Sequence, residues 1–118
     1  MYGLAEDADL SFFKGAFLEQ VCLGANQVIL NFDQGVSISS ACWVALAVGE
    51  HRIESDDPRT LAPALMKLIA ESIVDVRWKG DGTLFLLFSN GGSMRIEDDG
   101  APHYESYQIK HGDDLIVV

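Results

Sequence analysis

The sequence predicts an α+β domain in which two repeated antiparallel β-hairpin units form a sheet, a sandwich or a half-barrel, with one central helix. Three observations predict it: a segment that recurs later in the chain, alternation of apolar and polar residues in both copies, and apolar residues at helical spacing between them. The 118 residues are predicted to form a single domain. Its parts are repeat one at about 18–55, the helix at about 58–72 and repeat two at about 73–118.

The recurring segment predicts the two hairpins. Residues 27–38 (QVILNFDQGVSI) match residues 83–94 (TLFLLFSNGGSM) at a constant offset of 56. Alternating apolar residues predict strands with one buried face, and a two-residue connection followed by glycine predicts each turn. The residues expected on the buried faces are Val28, Leu30 and Phe32 in the first copy, and Leu84, Leu86 and Phe88 in the second. After the turn, Val36, Ile38 and Ser40 continue the first hairpin, and Gly92, Met94 and Ile96 continue the second.

Further strands are predicted around the hairpins. Upstream of each hairpin, Val21 and Leu23 correspond to Val76 and Trp78 at an offset of 55, which predicts a third strand in each copy. Residues 43–48 resemble residues 104–109, which predicts a fourth strand after each hairpin. Residues 111–114 predict a turn into a last strand at 115–118. Residues 10–18 fit a short helix or an entering strand, and a strand or turn is the favoured interpretation.

A helix of about three turns is predicted between the copies. Thr60 or Asp57 is suited to cap its N-terminus, with Pro63 then in the first turn, where a missing N–H costs little. The apolar stripe at helical spacing consists of Leu61, Leu65, Leu68 and Ile69.

Charge is the strongest compositional feature, since 18 acidic and 8 basic residues give a formal net charge of −10. Such a surface repels nucleic acid and anionic lipid, so neither is predicted as a partner. The longest apolar run, residues 41–48, is far shorter than the roughly 20 residues of a membrane-spanning helix. With acidic residues where a secretory signal carries Lys or Arg, the N-terminus predicts a cytoplasmic protein, in which Cys22 and Cys42 are two buried thiols.

The sequence carries no recognisable catalytic motif. Its three histidines, His51, His103 and His111, lack the spacing of a helix-borne metal site. Its serines and cysteines lie outside any nucleophile motif, and Gly91–Gly92 follows a hairpin rather than opening a helix. We therefore predict no enzyme activity, no metal and no cofactor.

Three acidic clusters at strand ends are the candidate partner-binding residues. They are solvated loop ends in one interpretation, and Asp56 and Asp57 also favour a helix N-terminus through its dipole. In the other interpretation they meet a basic protein surface and speed its association. The candidates are Glu54, Asp56, Asp57, Glu97, Asp98, Asp99, Asp113 and Asp114.

The sequence also resembles a group of small bacterial proteins with duplicated LxFxxG hairpins and a C-terminal Tyr-Glu-Ser motif. The matching segments are residues 30–35 (LNFDQG), 86–91 (LLFSNG) and 104–109 (YESYQI), and the resemblance spans roughly residues 18–118. The group includes immunity proteins of the contact-dependent growth inhibition type. The resemblance implies an antitoxin that binds a cognate bacterial toxin, such as a basic nuclease, and blocks its active site.

Two alternatives belong to other functional classes. One is a small enzyme or ligand-binding domain with a pocket between the repeats, and His103, Tyr104 and Glu105 at its mouth. The other is a self-associating module that forms a homodimer when an apolar strand edge pairs with another copy. The residues of that edge are Trp43, Val44, Leu46 and Val48.

Overall fold

The computed structural model describes residue 4, residues 8–97 and residues 107–118. Within these residues the chain forms ten strands, one α-helix and one turn of 3₁₀-helix at Ser11–Phe13. The elements are β1 (Leu18–Leu23), β2 (Val28–Phe32), β3 (Val36–Ser40), β4 (Val44–Val48), β5 (His51–Ser55), α1 (Pro58–Met66), β6 (Ile73–Trp78), β7 (Leu84–Phe88), β8 (Ser93–Ile96), β9 (Tyr107–His111) and β10 (Asp114–Val117).

The strands make two antiparallel five-stranded sheets, which confirms the predicted α+β class. The first sheet has the order β1-β2-β3-β9-β10, and the second has the order β5-β4-β8-β7-β6. Each sheet therefore takes three strands from one repeat and the C-terminal hairpin from the other. This exchange of hairpins was not predicted from the sequence.

The strand registers of the two sheets are equivalent. Ser40 pairs with Tyr107 where β3 meets β9, and the corresponding pair where β8 meets β4 is Ile96 with Val44. Even the irregularities recur, because the register of β1 on β2 shifts after Leu18 and that of β6 on β7 shifts after the corresponding Ile73. The duplication thus extends from sequence to backbone pairing.

A pseudo-two-fold axis passes between Phe17 and Ser72. These two residues, related by the repeat offset of 55, form an isolated antiparallel bridge that joins the two sheets. Backbone hydrogen bonds on the two sides of the bridge are related by the same pseudo-two-fold axis. They run from Leu18 N to Glu71 O (3.0 Å) and from Ile73 N to Ala16 O (2.8 Å).

The same correspondence continues toward the N-terminus. Gly15 and Ala70 occupy equivalent positions, and both have positive φ angles, of 88° and 76°. The 3₁₀ turn at Ser11–Phe13 corresponds to the tight turn that follows α1, with equivalent bonds from Phe13 N to the oxygen of residue 10 and from residue 68 to residue 65. For residues 10–18 the short-helix alternative is therefore correct at Ser11–Phe13, and the favoured strand or turn is correct for the turn at residues 14–15 and the start of β1 at Leu18.

The helix is shorter than predicted. Asp57 is its N-cap and Pro58 its first residue, and it ends at Met66 rather than near residue 72. Beyond Met66 the backbone bonds span three residues instead of four, which tightens the chain into turns. Pro63 lies inside the helix and not in its first turn, because the cap is Asp57 and not Thr60.

The inner faces of both sheets enclose one hydrophobic core. Every residue predicted for the buried hairpin faces is buried. Cys22 and Cys42 do not form a disulfide with each other, and only Cys42 is buried, whereas Cys22 is half-buried. In the described part of the chain, no helix is both long and apolar enough to cross a membrane.

The proposed apolar edge at β4 is wrong. β4 lies between β5 and β8, so its backbone is already paired on both sides. Val44, Leu46 and Val48 point into the core with exposures of 4%, 3% and 2%, and Trp43 alone of that set is exposed. Any self-association must therefore use another surface.

Candidate protein-binding surfaces

The duplicated backbone gives the protein two outer sheet faces of different chemistry. Residues that alternate with the core residues point outward, so the strand registers place each outward side chain. The second sheet carries an arginine face, which consists of Arg52, Glu54, Ala45, Ala47, Ser93, Arg95, Phe85, Leu87, Asp75 and Arg77. The first sheet carries an amide face, which consists of Gln20, Cys22, Ile29, Asn31, Ser37, Ser39, Gln108, Lys110, Leu115 and Val117.

The amide face is held by side-chain hydrogen bonds between neutral groups. Asn31 Nδ2 donates to Gln20 Oε1 at 2.9 Å across the β1–β2 pair. Gln27, at the end of the same hairpin, donates to the Ser39 hydroxyl. Lys110 is the single charged residue among the ten that define this face.

Two predicted carboxylates converge on the arginine face. Glu54 Oε1 lies 2.9 Å from Arg95 Nη2, and Glu97 Oε1 lies 2.9 Å from Arg95 Nε. The second contact is an ion pair without a well-directed hydrogen bond, because the Nε–H finds no acceptor in line. Both acids are therefore already matched to a cation of their own chain.

Two other predicted carboxylates, Asp56 and Asp57, lie at the junction of β5 and α1. The Asp57 carboxylate accepts the Arg59 backbone N–H at 3.0 Å, and this hydrogen bond lowers the pKa of Asp57. Asp56 lines a shallow depression of about 310 Å³ next to the β1–β2 turn, together with Asn26 and Arg59. Asp57 thus has a structural role, while Asp56 faces solvent.

Asp113 and Asp114 lie at the opposite end of the first sheet. Their β9–β10 turn packs beside the β2–β3 turn, where Gly112 N donates to Gly35 O at 3.0 Å. This contact brings Asp33 of the neighbouring turn to the same end of the sheet. This proximity of the two turns is not visible in the sequence, because it depends on the pairing of β3 with the exchanged β9.

Asp9 joins the same end through a separate segment. Asp9 and Asp114 line one open depression of about 630 Å³, with His111 stacked on Phe12 at a ring-centroid distance of 4.1 Å. The pKa of Asp9 is lowered because its carboxylate accepts the backbone N–H of Ser11. We call Asp9, Asp33, Asp113 and Asp114 the acidic end.

No cation neutralises the acidic end within the described residues. The ion pairs in the described part of the chain are made by Arg59, Arg77 and Arg95. None of them includes Asp9, Asp33, Asp113 or Asp114. Asp98 and Asp99 lie outside the described residues. The six predicted acids that the structure describes therefore lie at three separate places, and Asp113 and Asp114 share their end of the sheet with the further carboxylates of Asp9 and Asp33.

The residues of the alternative ligand pocket, His103, Tyr104 and Glu105, also lie outside the described part of the chain. In that part, no group of three or more His, Cys, Asp or Glu side chains is placed to hold a metal ion. The depressions found lie open on the outer surface.

Comparison with known proteins assigns the chain to a family. No curated protein and no solved structure matches the sequence significantly. The sequence pattern of a family of unknown function (DUF6188) matches residues 11–118, which include every strand and the helix. The chain belongs to the DUF6188 family.

Proposed function

We propose that this protein is an immunity-type inhibitor that binds a basic bacterial toxin domain through its acidic end and blocks the toxin's active site. The observation that carries the proposal is the acidic end itself, where four aspartates from three chain segments lie at one end of the first sheet and none forms an ion pair with another described residue.

Electrostatics favours a basic partner for this surface. The acids matched to arginines elsewhere contribute little outward field, whereas Asp113 and Asp114 add theirs to a net charge of −10. Such a surface attracts a cationic protein and speeds its association, and it imitates the charge that a nuclease expects from its nucleic-acid substrate.

The position of the acidic end also suits inhibition. Its carboxylates lie on two adjacent hairpin turns and a preceding segment, which are anchored by the β3–β9 pairing and by the Gly112–Gly35 backbone bond. Because these backbone bonds already hold the two turns in place, contact with a toxin through them costs little conformational entropy. The resemblance to immunity proteins supports the same class of function.

The test pairs the protein with the product of the neighbouring upstream gene. Coexpression is expected to rescue growth from that product, and the purified proteins are expected to bind with an affinity that falls as salt rises. Asp113→Lys should weaken binding by at least about tenfold, because it removes one attractive charge and adds a repulsive one.

Glu50→Lys is the matched control. Glu50 occupies the equivalent turn of the β4–β5 hairpin, on the other sheet, and the substitution changes the charge by the same amount. It should leave binding close to that of the unmodified protein. Absence of both binding and rescue would refute the proposed function, and equal losses from the two variants would refute the acidic end as the contact.

A further inference from the structure

The outward side chains of the arginine face follow a pattern in size as well as in charge. The register across the second sheet places its ten outward side chains in two rows that run across the strands. In strand order β5-β4-β8-β7-β6, the first row is Glu54, Ala45, Arg95, Phe85 and Arg77. The second row is Arg52, Ala47, Ser93, Leu87 and Asp75.

Side-chain size changes along both rows in the same direction. On β4 the outward residues are Ala45 and Ala47, and they line an open hollow of about 580 Å³ whose far side is lined by Phe85 of the same chain. On β7 the outward residues are Phe85 and Leu87, and Phe85 is 37% exposed. The face therefore has a depression on one side of β8 and a projection on the other.

The two rows carry opposite charges at corresponding ends. The first row begins with Glu54 on β5 and ends with Arg77 on β6. The second row begins with Arg52 on β5 and ends with Asp75 on β6. Each edge strand thus carries one acid and one base, at heights where the other edge carries the opposite charge.

These two patterns make the face complementary to itself. We propose that a second copy of this chain docks on the arginine face, related by a two-fold axis that lies in the interface and runs parallel to β8. Such an axis keeps the rows aligned and sets β4 against β7 of the second copy, and β5 against β6. The two sheets then pack in the aligned manner of a β-sandwich.

Each pairing under this axis is favourable. Phe85 of the second copy enters the hollow above Ala45, and Leu87 lies against Ala47. Glu54, which contacts Arg95 of its own chain, also faces Arg77 of the second copy, which contacts Asp75 of its own chain, so the two copies extend existing ion pairs into a network. The equivalent charge pair in the second row is Arg52 with Asp75.

The residues on the axis are compatible with close approach. Ser93 is small, and Arg95 is held between Glu54 and Glu97 of its own chain at 2.9 Å from each. These carboxylates compensate the charge of Arg95 where the two copies of it meet.

A two-fold axis perpendicular to the strands is less suitable. It would also oppose unlike charges, because it sets the first row against the second. It would place Phe85 on Leu87 and Ala45 on Ala47, however, so that projection meets projection and a void remains between the alanines. Size therefore selects the axis parallel to β8.

The area of the face sets the strength of the contact. Five strands of about five residues cover on the order of 400 Å² on each copy, or about 800 Å² in total. Stable interfaces bury roughly 1,200–2,000 Å², so the dimer is expected to be weak and concentration-dependent.

Sedimentation velocity on the full chain, from about 1 µM to about 1 mM, tests the proposal. The protein should pass reversibly from monomer to dimer within this range. A chain that stays monomeric throughout, or that forms assemblies larger than a dimer, would overturn the proposal.

Charge exchange tests the arrangement of the two copies. Arg77→Glu should weaken dimerisation by at least about tenfold, because it opposes two carboxylates at both symmetry-related places. The double variant Glu54→Arg with Arg77→Glu restores opposite charges under an axis parallel to β8 and should recover part of the dimerisation lost in Arg77→Glu, since Arg95 then keeps Glu97 alone as its compensating carboxylate. Under the perpendicular axis the double variant would weaken it further, and that result would overturn the proposed axis.

A size variant tests the same contact independently of charge. Phe85→Ala empties the hollow of its occupant and should weaken the dimer, whereas Ile29→Ala, at the equivalent position on the amide face, should not. Chemical denaturation of each variant verifies that the monomer remains folded. Equal dissociation constants for these two variants would contradict docking through the arginine face.

Discussion

Among individual residues, Asp57 shows how one side chain links sequence to local structure. Its carboxylate accepts the Arg59 N–H, one of the N–H groups at the start of α1 that lack an intrahelical acceptor. Asp56 is adjacent and chemically identical, yet it makes no such bond and lies exposed. The two residues therefore separate capping from the general effect of a negative charge near a helix N-terminus.

We expect Asp57→Ala to lower the free energy of unfolding measurably in urea titrations, and Asp56→Ala to have little effect. Because the folded pKa of Asp57 is lowered, its contribution is complete above the ordinary aspartate pKa and is lost as the pH falls through the lowered value. The difference between Asp57→Ala and the unmodified protein should therefore shrink in acid. A difference that is constant with pH would contradict the capping role.

Residue-level reasoning from sequence succeeded where the cause is local. Alternation along β2 and β7 identified Leu30, Phe32, Leu86 and Phe88 as buried, since a strand period of two requires no knowledge of the partner strand. It did not predict that the turns carrying Asp33 and Asp113 lie side by side, because that depends on which strand pairs with β3.

At the level of elements, the exchanged hairpins are the main determinant of architecture. β4–β5 completes the sheet of repeat two, and β9–β10 completes the sheet of repeat one. Sequence patterns predict that a strand exists but contain little information about which distant strand pairs with it. The hairpins could therefore be predicted, whereas their exchange between the two sheets could not. The early end of α1 was missed for a related reason, because the chain after Met66 turns to reach the β1–β6 junction, where Ala70 N bonds to Leu18 O.

The exchange predicts how damage to one hairpin spreads. Leu46→Ala and Ile109→Ala remove equivalent buried side chains of the two exchanged hairpins, and each should cost about 2–5 kcal/mol of stability. Both variants should unfold in one transition, with tryptophan fluorescence and far-UV circular dichroism coinciding. Leu115→Ala, whose side chain is 58% exposed, is the control and should change stability by less than about 0.5 kcal/mol. Separate transitions for the two probes would contradict this coupling.

At the level of the whole molecule, two repeats are bound into one cooperative body. Each sheet contains strands from both halves of the chain, and one core contains the inner faces of both sheets. The bridge between Phe17 and Ser72 joins the sheets directly on the pseudo-two-fold axis.

This organisation predicts that the chain tolerates a cut between its repeats. A protease site inserted after Met66, where the exposed end of α1 precedes the second repeat, should allow cleavage of the folded protein. The two fragments should remain together in size-exclusion chromatography and separate only in denaturant. Fragments that separate under native conditions would contradict the shared sheets as the main connection.

The divergence of the two outer faces has a consequence for how such a protein changes. The inner faces are tied to one another by the shared core, so a substitution there disturbs both repeats, whereas an outward substitution touches only its own face. Equivalent positions already hold Ile29 and Phe85, or Ser39 and Arg95, on the same backbone. The fold therefore provides two independent outer faces. Substitutions can adapt one face to a new binding partner while the other face keeps the residues that bind its existing partner.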